Sequence, residues 1–289
     1  LYRRTMNAPI LYNNGICPAL PFGLFFASFF VLPIILQKKY THEKREKEKN
    51  DKDSKAFKRN VKLPVIASLG DYFDHTLLKP DSTIDQVNKL CEEAIEYNFA
   101  SVCVNSVHVP TIMKNFVQAS SNIRICAVIG FPLGAMSTNT KIDEAKYCIE
   151  QGANEIDMVL QVGLLKSQRY EEVFNDILAI VDICHNKHHH NKLVQHLHNS
   201  VHPYITCKVI IESCLLTEEE IEIACHLAGK AGADYIKTST GFSTGGATPN
   251  VLETMSNVAV QYPCHAPYVR ASDISTTMQV KASGGIRDG

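Results

Sequence analysis

The chain has 289 residues, 45% of them hydrophobic, and no tryptophan; 29 basic residues stand against 30 acidic ones, a net charge of −1. That balance gives no global electrostatic basis for binding nucleic acid, and the length suits one large α/β domain or two ordinary ones. Ten cysteines fall at 17, 91, 103, 126, 148, 184, 207, 214, 225 and 264 without a Cys-x-x-Cys pair, most of them inside apolar segments. The spacing predicts free thiols in a reduced interior, and neither a disulfide framework nor a zinc site.

Residues 1–60 read as a non-globular leader. Arg3 and Arg4 precede an uncharged, mostly apolar run at 16–36, and Lys38 and Lys39 follow it. The run is long enough to cross a bilayer and also fits a secretory signal or anchor. Pro18, Pro21 and Pro33 weaken it as a regular helix. Residues 38–59 are almost all charged or polar and cannot bury a core. Transit peptides are acid-poor, whereas this stretch carries Glu43, Glu46, Glu48, Asp51 and Asp53. Targeting, anchoring and a plain upstream extension all stay open.

From residue 61 onward, strand-like and helix-like segments alternate. Apolar runs rich in Val and Ile lie at 100–105, 124–130, 155–161, 206–212, 235–240 and 279–284, with a weaker one at 69–75. Such runs fit strands buried on both faces. Between them, Ile84, Val87, Leu90, Cys91, Ala94 and Ile95 form a helical stripe, with Thr83 and Gln86 as its capping box. Ile142, Ala145 and Ile149 start a second, and Val173, Ile177, Ile180, Val181 and Cys184 a third. Thr217 with Glu220 caps a fourth, and Thr248-Pro249 opens a fifth. Repeated βα units predict a parallel sheet with right-handed crossovers, and seven of them favour a (β/α)8 TIM barrel over an open sheet. No Gly-x-Gly-x-x-Gly follows the first strand, so a dinucleotide fold has no support. The expectation is therefore a leader at 1–60 and a barrel domain at 61–289 that lacks the eighth βα unit.

One insertion interrupts the pattern: residues 184–203 carry His185, His188, His189, His190, His196, His198 and His202. A histidine-rich tract can bind metal, but beside Asn and Lys it reads as a tolerated surface loop.

The chemistry concentrates where lysines occupy strands. Gly152-Ala-Asn-Glu-Ile-Asp157 matches Gly232-Ala-Asp-Tyr-Ile-Lys237 position for position. Asp157 and Lys237 then hold equivalent places on strands four and six, and alternate strands of a barrel feed one interior layer. A buried lysine is either ion-paired or an amine of lowered pKa able to form a Schiff base. Lys281 lies on the next strand, and two neighbouring ammonium groups cannot both stay charged cheaply. Gly241-Phe-Ser-Thr-Gly-Gly246 follows Lys237, and Ser283-Gly-Gly-Ile-Arg287 follows Lys281; such loops cradle phosphate with backbone amides.

These residues fall into ordered motifs: Asp74-His-Thr-Leu-Leu-Lys-Pro80, Val102-Cys-Val-Asn105, Ile129-Gly-Phe-Pro132, Glu155-Ile-Asp-Met-Val159, Lys208-Val-Ile-Ile-Glu212 with Cys214-Leu-Leu216, Gly232 to Phe242, and Val280-Lys-Ala-Ser-Gly-Gly-Ile-Arg287. In them the chain resembles deoxyribose-phosphate aldolase, a class I aldolase family on a TIM barrel. The resemblance implies reversible cleavage of 2-deoxy-D-ribose 5-phosphate to D-glyceraldehyde 3-phosphate and acetaldehyde, in deoxyribonucleotide catabolism. It assigns the Schiff base to Lys237, a pKa-shifting role to Lys281 and proton relay to Asp157. It places Asp74, Cys103 and Thr238 at the substrate and Gly241, Gly284 and Gly285 at its phosphate. It implies no metal or organic cofactor, a sugar phosphate rather than nucleic acid as partner, and a cytoplasmic enzyme, with a homodimer open. The alternatives are an organelle-targeted or membrane-anchored form through residues 1–60, a transaldolase-like activity, and a truncated barrel that only binds a sugar phosphate or partner.

Overall fold

The computed structural model describes residues 69–185, 204–264 and 277–285. The leader, His188 to His202 and Arg287 lie outside the described residues. Among the described residues seven strands form one parallel sheet in sequence order: β1 Asp74–Leu77, β2 Ser101–Asn105, β3 Arg124–Ile129, β4 Glu155–Val159, β5 Thr206–Ile210, β6 Tyr235–Lys237 and β7 Gln279–Lys281. The helices are α1 Ile84–Glu96, α2 Val109–Gln118, α3 Thr138–Glu150, α4 Val162–Lys166, α5 Tyr170–His185, α6 Glu218–Ala231 and α7 Pro249–Ala259. No helix among the described residues is long and apolar enough to cross a membrane.

The helix start signals read from sequence are used as such. Thr83 and Thr217 each accept from the amide three residues on, and Gln86 and Glu220 return the bond, which satisfies amides the helix itself leaves unpaired. Thr248 caps α7 with Pro249 in the first turn. Two readings change. The weak strand expected at 69–75 is a 3-10 turn, Leu69–Tyr72, followed by β1. The helix α2 has no counterpart in the sequence reading; its Pro110 looks like a breaker, but it sits in the first turn, where the missing N–H costs nothing. Within α1 the buried face is Val87, Leu90, Cys91 and Ala94, while Ile84 and Ile95 are exposed.

The sheet separates two environments. Along β2 to β6, alternate residues (Val102, Val104, Ile125, Ala127, Ile129, Ile156, Met158, Cys207, Val209 and Ile236) join helix side chains such as Leu90, Ile112, Cys148 and Ile177 in one apolar core. Because side chains alternate across a strand, the residues between them point the other way. These are Cys103, Cys126, Val128, Glu155, Asp157, Lys208 and Lys237. The charges share one side of the sheet and the apolar core occupies the other.

The sheet is also curled. Six strand-to-strand steps of ~4.8 Å would put β1 and β7 about 29 Å apart if it were flat. Yet Lys281 Nζ on β7 lies 2.9 Å from Asp74 Oδ1 on β1. A lysine side chain cannot span that gap, so the sheet wraps round until its ends face each other, as in a barrel wall.

At the base, Asp234 is fully buried and fastens several segments. Its carboxylate accepts from Cys207 N at 2.8 Å and Tyr204 OH at 2.7 Å, and lies 2.9 Å from His185 Nε2. His185 is the one member of the histidine-rich tract among the described residues, and it serves this clamp.

Candidate active site

The inner wall carries a chain of alternating charges. Lys237 closes β6, is 6% exposed, and places Nζ 2.5 Å from Asp157 Oδ2 on β4. The other oxygen of Asp157 lies 3.2 Å from Lys208 Nζ on β5. Lys208 also lies 3.1 Å from Asp74 Oδ2 and 2.6 Å from Glu155 Oε2. Asp74 Oδ1 holds Lys281, and Arg124 Nε lies 3.0 Å from Glu155 Oε1. Strand register explains the proximity: Asp157 pairs with Lys208, and Lys237 with Lys281, so each pair emerges on the same side. Within this network, the four cations Lys208, Lys237, Lys281 and Arg124 meet the three carboxylates Asp74, Asp157 and Glu155, leaving one positive charge in excess.

The electrostatics follow from these contacts. Burial by itself opposes the charge on Lys237, and so does Lys208, but the Asp157 carboxylate outweighs them and holds the ammonium above its usual range. Burial likewise opposes the charge on Lys208, and Asp157 and Asp74 overcome it. Burial would raise both aspartates; Lys208 and Lys281 hold Asp74 far below the usual carboxylate range, and Lys208 and Lys237 lower Asp157. The sequence reading made Lys281 the like charge beside Lys237. In the structure Lys281 rests on Asp74, and the foremost cation acting on Lys237 is Lys208. Of the two states a buried lysine can take, the geometry is that of an ion pair, with an acceptor for its proton at 2.5 Å.

Lys208 is the hub that sequence reasoning passed over, although it is the same anomaly as Lys237: a lysine inside the apolar run Thr206–Ile210. Glu212 was passed over too. Its left-handed backbone (φ 51°, ψ 59°) turns its buried carboxylate onto Thr240, accepting from the amide at 3.3 Å and from the hydroxyl. Thr240 Oγ1 in turn accepts from Phe242 N at 3.1 Å, which shapes the turn after Lys237. Such strain persists only where surroundings over-determine it.

The remaining sequence candidates fall into place around this chain. Cys103 lies fully buried in a separate apolar cluster with Cys126 and Val128, against Leu78 and Phe131. Phe131 meets Phe242 edge to face with ring centres 5.3 Å apart, so loops after β3 and β6 touch across the C-terminal mouth. Thr238, expected at the substrate, bonds Ser283: its hydroxyl donates to the carbonyl at 2.9 Å and accepts from the amide at 3.0 Å. That stitch brings the two glycine loops together. Gly241 and Gly284 adopt φ of 83° and 82°, and a Cβ on Gly246 would lie 2.1 Å from Gly284 O. Gly285 has φ of 77°. Only glycine tolerates this backbone and this approach. The arrangement offers a buried amine with an adjacent proton acceptor, an apolar wall, and a glycine-lined rim.

Comparison with known proteins agrees with this geometry. Residues 69–289 match the model of the DeoC/LacD family aldolases. The chain is 45% identical over 219 residues to a deoxyribose-phosphate aldolase of Clostridium perfringens, covering 76% of this chain and 83% of that protein. It is 46% identical over 221 residues to one from a Geobacillus species, covering 76% and 84%. A tetrameric deoxyribose phosphate aldolase from Aeropyrum pernix superposes with a TM-score of 0.59 at 29% identity, covering 75% of this chain and 78% of that one. With a family model spanning every described residue and relatives this similar, the chain belongs to the DeoC/LacD family of aldolases.

Proposed function

We propose that this chain is a class I deoxyribose-phosphate aldolase that cleaves 2-deoxy-D-ribose 5-phosphate reversibly to D-glyceraldehyde 3-phosphate and acetaldehyde, with Lys237 as the Schiff-base residue. The observation that carries this is the 2.5 Å contact between Lys237 Nζ and Asp157 in a buried wall, on a chain similar to deoxyribose-phosphate aldolases over three quarters of its length. Asp157 takes the proton of the Lys237 ammonium, and the free amine attacks the substrate aldehyde carbon. The carbinolamine hydroxyl takes that proton back from Asp157 and leaves as water, giving an iminium beside the regenerated Asp157 carboxylate, which stabilises its positive charge. Cleavage of the bond between carbons 2 and 3 leaves its electrons on the two-carbon fragment as an enamine. The proton of the 3-hydroxyl passes to a nearby base, and glyceraldehyde 3-phosphate departs. Protonation and hydrolysis then release acetaldehyde and restore the amine.

In this reading Lys281 and Asp74 act on Lys237 through Lys208 and Asp157, Cys103 lines the wall beside the two-carbon fragment, and Gly241, Gly284 and Gly285 receive the phosphate. Asp74 and Thr238 contact the substrate, and Thr238 also joins the two loops. We further assign the barrel to residues 61–289, the leader to 1–60, a cytoplasmic site of action, and an assembly of identical copies, a homodimer being the smallest.

Borohydride reduction in the presence of acetaldehyde tests the assignment. A two-carbon adduct should map to Lys237 and vanish in Lys237→Ala. Undiminished adduct in that variant would overturn it. Turnover of fructose 6-phosphate in preference to deoxyribose 5-phosphate would instead favour a transaldolase-like activity.

A further inference from the structure

Cys126 plays no part in the mechanism above, yet it stands at the same wall. Cys103 and Cys126 are direct partners in the β2–β3 register, so their side chains leave the sheet side by side on its inner face. Both are fully buried free thiols. Their sulfurs and a carboxylate oxygen of Asp157 all lie within 4.8 Å of one another. Lys208 Nζ lies 3.5 Å from Cys126 Sγ.

Three donors in this arrangement have the composition of a site for a thiophilic divalent ion. With metal–sulfur bonds of ~2.3 Å and a metal–oxygen bond of ~2.1 Å in tetrahedral geometry, donor–donor distances come to about 3.6–3.8 Å. The donor triangle, no side of which exceeds 4.8 Å, needs to contract by about 1.2 Å at most to meet that. Charge also permits it. Two ammonium groups already border Asp157, so a bare dication would be repelled. Binding to two thiols, however, releases both protons: M2+ plus two R–SH gives M(SR)2 plus two H+, and the local charge is unchanged. Lys281 and Lys237, with side chains 21% and 8% exposed, mark the way in from the mouth.

We infer that Cys103, Cys126 and Asp157 form an inhibitory site for soft divalent cations, such as zinc or cadmium, inside the catalytic wall. The bound ion takes a carboxylate oxygen of Asp157 and draws electron density from the whole carboxylate, so Asp157 becomes a poorer acceptor for the proton of Lys237. Binding itself stands on the donor geometry alone; its inhibitory consequence rests on the assignment of Lys237.

Titration of the full chain with cadmium under reducing conditions tests this. The expected result is one ion per chain with a cadmium–thiolate charge-transfer band in the ultraviolet and two protons released. Acetaldehyde trapping at Lys237 should be blocked and restored by chelation. Cys126→Ala and Cys103→Ala, each compared with its own metal-free rate, should lose at least about half of the band, since one of the two thiolates is gone. Their apparent affinity should fall at least about tenfold, the scale of losing even an outer partner of a metal ligand. Cys148→Ala, a buried thiol outside this wall, should keep the band. A wild-type chain without the band, or a band undiminished by removal of either sulfur, overturns the site. A band and proton release with trapping unaffected would keep the metal site, and sink the assigned role of Asp157 at Lys237.

Discussion

Replacing Lys208 by methionine tests whether the hub cation sets the readiness of Lys237. The substitution keeps most of the stem and removes the ammonium. The two ammonium groups sit on the two oxygens of one carboxylate, 3.2 and 2.5 Å away. Joined through one carboxylate about 2.2 Å across, they lie at most about 8 Å apart, and at an effective dielectric of about 20 they repel by at least about 2 kcal/mol. Since about 1.4 kcal/mol is one decade of proton affinity, losing that repulsion lowers the neutral-amine fraction of Lys237 at least about thirtyfold at fixed pH. The sign is definite: removing a positive neighbour favours the ammonium, so the acidic limb of the pH–rate profile moves to higher pH. The variant should still fold, because Asp74 keeps Lys281, Asp157 keeps Lys237 and Glu155 keeps Arg124. Its stability loss should not exceed the ~3–5 kcal/mol of breaking a buried pair. Initial rates of borohydride trapping with acetaldehyde, followed by mass across the neutral to alkaline range, read the limb directly. Lys281→Leu should move it less, because Lys281 rests on Asp74. A limb unmoved in Lys208→Met but displaced in Lys281→Leu would refute the reasoning.

Lys141 and Asp176 form a second buried pair at 2.6 Å, on α3 and α5. Lys141→Ala should cost about 3–5 kcal/mol in urea unfolding, whereas Lys141→Met with Asp176→Leu should cost less, the remainder coming from the Thr138 and Gln161 donors that lose Asp176; equal losses would discount the orphaned charge. Gly246→Ala drives a methyl into Gly284 O, so KM for the phosphorylated substrate should rise while acetaldehyde trapping at Lys237 persists. A rise absent from that variant would remove the phosphate role of the loop pair. Stability should also fall at both pH extremes. Asp74 and Asp157 lie below their ordinary 3.8 when folded, so their contribution is present above that value and lost as pH falls through the folded values. Lys208 and Lys237 lie above 10.5, so theirs is complete below that value and lost as pH rises through the folded values. A melting temperature that varies continuously between those limits would show other groups in control.

The βα alternation, the caps at Thr83, Thr217 and Thr248, and the pairing of Asp157 with Lys237 were legible in sequence. Each rests on local rules: period two in strands, period 3.6 in helices, side-chain oxygens that bond nearby amides, and a repeated Gly-Ala turn that sets strand phase. Lys208 and Cys126 were not legible as parts of the site. Their neighbours, Asp74 and Cys103, are 134 and 23 positions away in the chain, and only parallel register and the curl of the sheet bring them together. For the same reason sequence could name a second lysine but not its partner. Whether Lys281 leans on Lys237 or on Asp74 depends on how far β7 wraps toward β1, a tertiary distance that no local pattern encodes.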